Sequence, residues 1–172
     1  DRITTQQLFD SITKYDVAIL AKPLTAFSEA HKYIIDQFVM HGGNLIIAAD
    51  NIGVNVDSLQ RVSHTTAYPL QLNCSDLFFN FGIRIHNTIL LDNQCASIPF
   101  NVSPLGSAPR FEPAPWYYYP LLKPLKQQPH AITHNIDVVK AEFASTLDTL
   151  EGNGTITKQV LLASSAYSRT IG

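Results

Sequence analysis

The chain has 172 residues and a formal net charge of −2 at pH 7, and 45% of its residues are hydrophobic. A chain of this length buries most of its apolar surface without a disulfide or a metal ion, so we expect residues 1–172 to form a single domain. The mild negative charge, without any cluster of lysine and arginine, argues against nucleic acid as a partner, and no apolar run approaches the roughly 20 residues that span a bilayer.

The segment between Tyr15 and Asp50 has the pattern of a β–α–β unit. Apolar runs at 17–21 and 44–49 predict two buried strands, and the amphipathic stretch between them predicts a helix that ends at the glycine pair 42–43. Continuous apolar strands joined by one helix are typical of a parallel sheet that is covered on both faces. The sequence therefore predicts an α/β fold with a mostly parallel sheet and helices on both faces.

The next stretch repeats part of this pattern. Residues 50–70 are polar and irregular, which predicts a surface loop or an edge hairpin with a short strand around 61–66. A second helix is predicted from Cys74 to Phe81, because Gly82 can close it, and a strand is predicted from 83 to 91. These elements would add another α–β step to the sheet.

Eight of the ten prolines lie within residues 99–129. Proline removes backbone donors, so we expect this stretch to wrap the surface in extended form. It contains four consecutive aromatic residues, Trp116, Tyr117, Tyr118 and Tyr119, which carry a large contact area. They are interpreted either as an edge strand that packs on the domain's own core or as the anchor of a protein interface.

The C-terminal part gives weaker signals. Residues 137–150 fit a short helix or a strand equally well. The turn at 152–154 leads into a last predicted strand at 159–163.

Polar residues follow several of the predicted strands. In open parallel α/β sheets, ligands bind beyond the carboxyl ends of the strands, where loops converge. This rule nominates a ligand-binding set, and the alternative is that these residues only cap and turn loops. The set consists of Lys22, Asp50, Asn51, Asp92, Asn93, Gln94, Ser164, Ser165 and Arg169.

The strand–helix–Gly-Gly–strand layout is similar to class I glutamine-amidotransferase-like domains, which implies a three-layer Rossmann-like or flavodoxin-like sheet. Those enzymes use a cysteine on a sharp turn, activated by a histidine and a glutamate two residues apart. Here no histidine is followed two residues later by glutamate, and neither Cys74 nor Cys95 lies between glycines. A thiol without a base is not an activated nucleophile, so we predict no enzymatic activity. The two cysteines either form one bridge or remain unpaired and largely buried.

Three residues near the C-terminal part have the spacing of a possible metal site. His130, His134 and Asp137 have the spacing that places them on one face of a helix. Pro129 and the poor helix formers between them favour a loop instead. We therefore predict no metal and no cofactor.

Six segments carry a family resemblance that extends over nearly the whole chain. They read YDVAILAKP at 15–23, IDQFVMHGG at 35–43, FGIRI at 81–85, DNQC at 92–95, PWYY at 115–118 and SSAYSR at 164–169. In this order they resemble the extracytoplasmic domain of gliding-motility-associated ABC-transporter auxiliary proteins, the GldG type.

The resemblance implies an accessory subunit that works with a separate ATPase and permease at the periplasmic face of the inner membrane. Because the sequence starts at Asp1 without a methionine, we expect an excised segment of a longer protein whose membrane anchor lies outside this chain. The family offers no catalytic residues to transfer.

Three functional hypotheses follow. The first is a non-enzymatic binding domain of an ABC-transporter complex, acting through protein interaction at Trp116 to Tyr119. The second is a small-ligand or glycan receptor that uses the polar residues at the strand ends. The third is an unrecognised hydrolase.

Overall fold

A computed structural model describes residues 4–55, 64–104, 106–125, 127, 130–151 and 156–172 of the chain. These residues form two compact units. The first unit comprises Asp1–His86 and Leu147–Ile156, and the second comprises Asn87–Thr146 and Thr157–Gly172.

The first unit contains three helices and six strands in its described residues. The helices are α1 (Thr5–Ile12), α2 (Glu29–Met40) and α3 (Ser75–Asn80); the strands are β1 (Val17–Ala21), β2 (Asn44–Ala48), β3 (Ile52–Val54), β4 (Ala67–Pro69), β5 (Ile83–Ile85) and β10 (Leu147–Thr149). Strand β1 pairs with β2, β3 with β4, and β5 with β10.

The second unit is built mainly of strands. They are β6 (Ile89–Asp92), β7 (Cys95–Asn101), β8 (Phe111–Pro124), β9 (Val139–Lys140), β11 (Leu162–Ala163) and β12 (Ser168–Ile171). The long strand β8 pairs with β7, β9 and β11 along its length, and β6 pairs with β12. A short 3₁₀ helix spans Ala131–Thr133.

The β–α–β unit predicted between residues 15 and 50 is confirmed. Strands β1 and β2 are parallel, with Val17 opposite Asn44 and Ala21 opposite Ala48. Ser28 caps α2, and its hydroxyl accepts a hydrogen bond from the backbone N–H three residues further on.

The helix α2 ends in a tight turn that depends on two glycines. Gly42 has a φ of +91°, a left-handed conformation that glycine adopts without steric cost. The ring of buried Phe38 lies where a Cβ on Gly43 would be. A larger residue at position 43 would therefore push against a side chain that has little room to move.

The prediction of a three-layer, Rossmann-like, glutamine-amidotransferase-like or flavodoxin-like fold is wrong. Among the described strands, β1 and β2 form a parallel pair, whereas the other pairs are antiparallel and lie in small sheets. The apolar runs of β1 and β2 indicated strands covered on both faces. Exposure instead alternates along each strand, and Ile19 and Ile46 are 70% and 54% exposed.

Two other predicted strands are also shorter than expected. The run at 83–91 is divided, because β5 ends at Ile85 and β6 begins at Ile89. The strand predicted at 159–163 is reduced to β11 at its end, and the following strand β12 is antiparallel to β6. In the 50–70 region, β3 and β4 form an antiparallel pair. Half of the strand predicted around 61–66 lies outside the described residues, and the described residues 64–66 are not in a strand.

Each unit has its own buried residues. In the first unit, Leu72, Cys74 and Phe78 form a cluster against which Ile47 and Ile83 pack. In the second unit, all four residues of β6 are buried, and so is Phe143. Both units therefore contain apolar side chains that are removed from water.

A buried lysine links α2 to α3 in the first unit. The ammonium of Lys32 contacts Asp76 at 2.7 Å and Glu29 at 2.8 Å. The hydrogen bond to Asp76 is the main reason that the pKa of Lys32 is raised, and the same bond lowers the pKa of Asp76. The pair fixes the start of α3, which has no side-chain cap of its own.

No described helix combines the length and the apolar character needed to cross a membrane.

Candidate functional site

Polar residues gather around the buried carboxylate of Asp92 at the end of β6. Asp92 is only 1% exposed. Its Oδ2 accepts a hydrogen bond from the Ser165 amide at 2.7 Å, and its Oδ1 accepts one from the Gln94 amide at 2.8 Å and one from the Ser165 hydroxyl. The carboxylate therefore ties the end of β6 to the chain segment between β11 and β12. We call Asp92, Gln94 and Ser165 the Asp92 cluster.

The electrostatics of this cluster favour an ionised carboxylate. Burial by itself raises the pKa of Asp92, but the hydrogen bonds from Ser165 and Gln94 outweigh it and hold that pKa below its usual range. The ammonium of Lys123 contacts the cluster by donating a hydrogen bond to Gln94 Oε1 at 2.7 Å.

The remaining strand-end residues of the second unit hold the same turn. Ser164 Oγ lies 3.1 Å from Ser168 Oγ, and Ser168 Oγ donates to the Ser165 carbonyl at 2.9 Å. The amide of Asn93 donates to the Tyr167 carbonyl at 3.4 Å. Arg169 lies on β12, opposite Leu91.

The chemistry open to Ser165 is limited by its own hydrogen bonds. Its hydroxyl donates to Asp92 and accepts from the amide of Tyr167 at 3.1 Å. A serine held in this way orders a turn, whereas a nucleophilic serine needs a base that can take its proton during attack. The contacts of this cluster therefore have a structural role, because they hold the end of β6 against the turn that precedes β12.

Three strand-end residues belong to the first unit. The backbone of Lys22 has a φ of +46°, and its amide donates to the Ala48 carbonyl at 2.7 Å. Asn51 donates from Nδ2 to the Ile85 carbonyl at 3.1 Å, and Asp50 lies half-buried after β2. These residues close the turns that follow β1 and β2.

The consecutive aromatic residues form part of a larger stack in the second unit. The Trp116 ring lies 5.6 Å from Phe100 and 5.3 Å from Tyr118, measured between ring centroids. Phe143 lies 5.6 Å from both Tyr118 and Tyr119. These distances are within the range of favourable aromatic pairs. We call these five residues the aromatic ladder.

The ladder is buried at one end and exposed at the other. Phe143 is buried, Trp116 and Tyr118 are half-buried, and Phe100 is 40% exposed. The ammonium of Lys140 lies 4.9 Å from the centroid of the Tyr119 ring, a cation–π distance. Tyr117 is exposed and makes none of the ladder's ring contacts. The exposed end lies on the β7–β8 pair.

A cavity in the first unit has a volume of about 400 Å³. Side chains of α2, β2, β5 and β10, together with phenylalanines of α3 and its C-terminal cap, form its wall. Six of the lining residues are Val39, Leu45, Ile47, Ile83, Ile85 and Leu147.

Residues 2–172 match the family described as an ABC-type uncharacterized transport system, whose short name denotes auxiliary proteins. The chain belongs to this family. The name of the family links its members to ABC-type transport systems. No curated protein matches the chain.

Among solved structures, this transport-system domain is similar to one described as "mmIFT52 N-terminal domain". The two share 14% sequence identity with a TM-score of 0.56. The match covers 98% of this chain and 59% of the other, so this chain spans less than two thirds of that protein's length. At this identity the likeness concerns the fold alone.

The histidines and cysteines of the transport-system domain have local roles in the structure. His130 caps the 3₁₀ helix by accepting from the Ile132 amide at 3.1 Å, and the described residues contain no group of three or more potential metal ligands. Cys74 and Cys95 are free thiols. Burial is the main reason that the pKa of Cys74 is raised, which makes it a poor nucleophile.

Sequence reasoning missed Phe100 and Phe143 as members of the ladder and missed the cavity altogether. Alternation along a strand places Trp116 and Tyr118 on one face, which was a usable signal. Phe100 and Phe143 come from other strands or loops, so only the pairing of β7 with β8 and the bond from the Phe143 amide to the Tyr118 carbonyl bring them close.

Proposed function

We propose that the chain is a non-enzymatic periplasmic domain of an ABC-transporter complex associated with gliding motility. In this proposal it acts by binding a protein component of the complex, the permease or ATPase subunits. Membership of the auxiliary transport-system family supports the link to a transporter. The GldG-type resemblance of the sequence supports the finer assignments to the periplasm and to gliding motility.

The observation that carries the binding role is the half-exposed aromatic ladder. Its inner end is anchored on buried Phe143, which contacts Tyr118. Tyr118 in turn contacts Trp116, and Trp116 contacts Phe100 at the outer end. Rings that are fixed before binding lose little conformational entropy when a partner covers them. Buried tryptophan and tyrosine residues are also the side chains that most often dominate binding energy at protein interfaces.

The receptor hypothesis has less support. The polar groups of Asp92, Gln94 and Ser165 are engaged with one another, so a sugar or other polar ligand would have to break these bonds before it could use them. The same contacts weigh against a hydrolase that uses Ser165.

The test is cross-linking of the full-length protein in its native membrane, followed by identification of the captured proteins. A variant that combines Trp116→Ala with Tyr118→Ala should lose capture of transporter subunits. Tyr167→Ala is the matched control, because Tyr167 is an exposed tyrosine of the same unit that is outside the ladder.

The thermal unfolding midpoint of each variant separates loss of contact from loss of fold. Capture that disappears in the ladder variant while the fold persists would support the proposal. Capture of the same subunits by the folded ladder variant and wild type alike would contradict it.

A further inference from the structure

The cavity of the first unit is uniform in its chemistry. Among the described residues, its nine lining side chains are those of valine, leucine, isoleucine, alanine and phenylalanine. None of these side chains has a hydrogen-bond donor or acceptor. A polar ligand would therefore lose its bonds to water without replacement, which is unfavourable.

The size of the cavity suits a small ligand. Water in contact with its apolar side chains gains few hydrogen bonds, because an ordered water molecule needs two or more polar partners. A volume of about 400 Å³ is also within the range of about 300 to 1,000 Å³ that holds small ligands.

The cavity has an entrance. Leu147, one of the lining residues, is 53% exposed, so the space is partly open to solvent beside β10. An occupant can therefore place an apolar chain among the lining residues while its polar end stays in water. This geometry fits an amphiphile with a single hydrocarbon chain.

We propose that the first unit binds the hydrocarbon chain of an aliphatic ligand, such as a medium-chain fatty acid, in this cavity. The proposal goes beyond the protein-binding role of the aromatic ladder, because the cavity belongs to the first unit and the ladder to the second. Each role can fail without the other.

The experiment is a calorimetric titration of the purified, lipid-free protein with hexanoate, octanoate and decanoate below their micelle concentrations. The carboxylate is the same in all three, so differences in affinity report burial of the chain. Each additional buried CH₂ group should lower the dissociation constant about fourfold. An affinity that does not depend on chain length, or no binding of decanoate, would overturn the proposal.

Two neighbouring alanines of the β2 segment supply a matched pair of variants. Ala49 lines the cavity, whereas Ala48 is exposed on the other face of the strand. Ala49→Leu should fill part of the cavity and weaken decanoate binding at least tenfold, and Ala48→Leu should leave it unchanged. Equal effects of the two substitutions would contradict the assignment.

A second variant, Leu147→Asp, keeps the test valid if Ala49→Leu does not fold. Leu147→Asp places a charge at the exposed entrance, where the fold tolerates it, and should also weaken decanoate binding. The ladder variant should bind decanoate normally, which keeps this test separate from the capture of transporter subunits. If decanoate does not bind but Ala49→Leu abolishes that capture, the cavity holds an apolar side chain of the partner and the proposal is wrong.

Discussion

Asp92 is one of the most deeply buried of the described residues. Its carboxylate is removed from water and accepts three hydrogen bonds, two of them from Ser165. A buried carboxylate is stable only when such donors replace its hydration. Loss of the carboxylate would also leave the donors of Ser165 and Gln94 without their acceptor, so the cluster contributes stability as a unit.

We predict that Asp92→Ala lowers the free energy of unfolding by about 3 kcal/mol, because it leaves several buried hydrogen-bond donors without an acceptor. Urea denaturation monitored by circular dichroism measures this change. Asp137→Ala is the control, since Asp137 is an exposed aspartate of the same unit, and it should change stability by less than about 0.5 kcal/mol. Equal effects of the two substitutions would show that the Asp92 cluster does not stabilise the fold.

Among the elements, β7 shows how prolines protect an exposed sheet edge. It pairs with β8 on one side and ends that sheet among the described strands. Pro99 lies opposite Pro113 in this pairing. Two prolines cannot exchange hydrogen bonds, so both ring nitrogens face away from the backbone hydrogen bonds that join β7 to β8. The outer edge of β7 therefore lacks a donor at its centre, which opposes pairing with another chain.

We predict that Pro99→Thr increases self-association. The substitution restores an outward N–H between Ser97 and Asn101, and threonine favours the extended conformation. Light scattering over a concentration series should show a rise in apparent mass that wild type lacks. Pro109→Thr is the control because Pro109 lies in the loop before β8. A monomeric Pro99→Thr protein would mean that the edge is protected by something other than the proline.

The elements that the sequence predicts well are those with local signals. The β1–α2–β2 unit is marked by apolar runs, a serine cap and the Gly42-Gly43 turn, all within about 30 residues. Strand β5 finds its partner β10 only after more than 60 intervening residues. An apolar run at 83–91 carries no information about such a partner, so the strand direction and the break between β5 and β6 could not be predicted.

For the candidate sites too, local features could be predicted from the sequence and long-range contacts could not. Short polar residues after strands indicated Asp92 and Ser165 correctly as neighbours of strand ends, but not the hydrogen bonds that join them across 73 positions. The cavity was not predictable, because its lining residues look like ordinary core residues in sequence. Only the arrangement of three strands and two helices around the cavity distinguishes them.

At the scale of the whole molecule, acidic groups with lowered pKa values occur in both units. Asp92 in the second unit is almost inaccessible, whereas Asp76 in the first unit is 63% exposed at its side chain. Solvent screens the exposed carboxylate of Asp76 even though Lys32 is buried, so we expect their contact to add less to stability than the contacts of Asp92 do. The acid response of the molecule should therefore originate mainly in the second unit.

We predict that stability falls as the pH decreases from about 5 through the lowered pKa of Asp92. In the unfolded chain an aspartate has a pKa of about 3.9, so the unfolded state takes up a proton at a higher pH than the folded state does. The contribution of Asp92 is thus complete above about pH 5 and disappears below its folded pKa. Urea unfolding from pH 7 to pH 2.5 measures this dependence.

Two isosteric variants assign the acid response to one of the two carboxylates. Asp92→Asn should flatten the pH dependence, because the variant has no carboxylate to protonate at the buried site. Asp76→Asn should retain most of the pH dependence, because the carboxylate of Asp76 is exposed and screened by water. A flat profile for Asp76→Asn and a steep one for Asp92→Asn would move the acid-sensitive contact to the first unit. Such a result would mean that, as the pH falls, the contact between α2 and α3 is lost before the contact between Asp92 and Ser165.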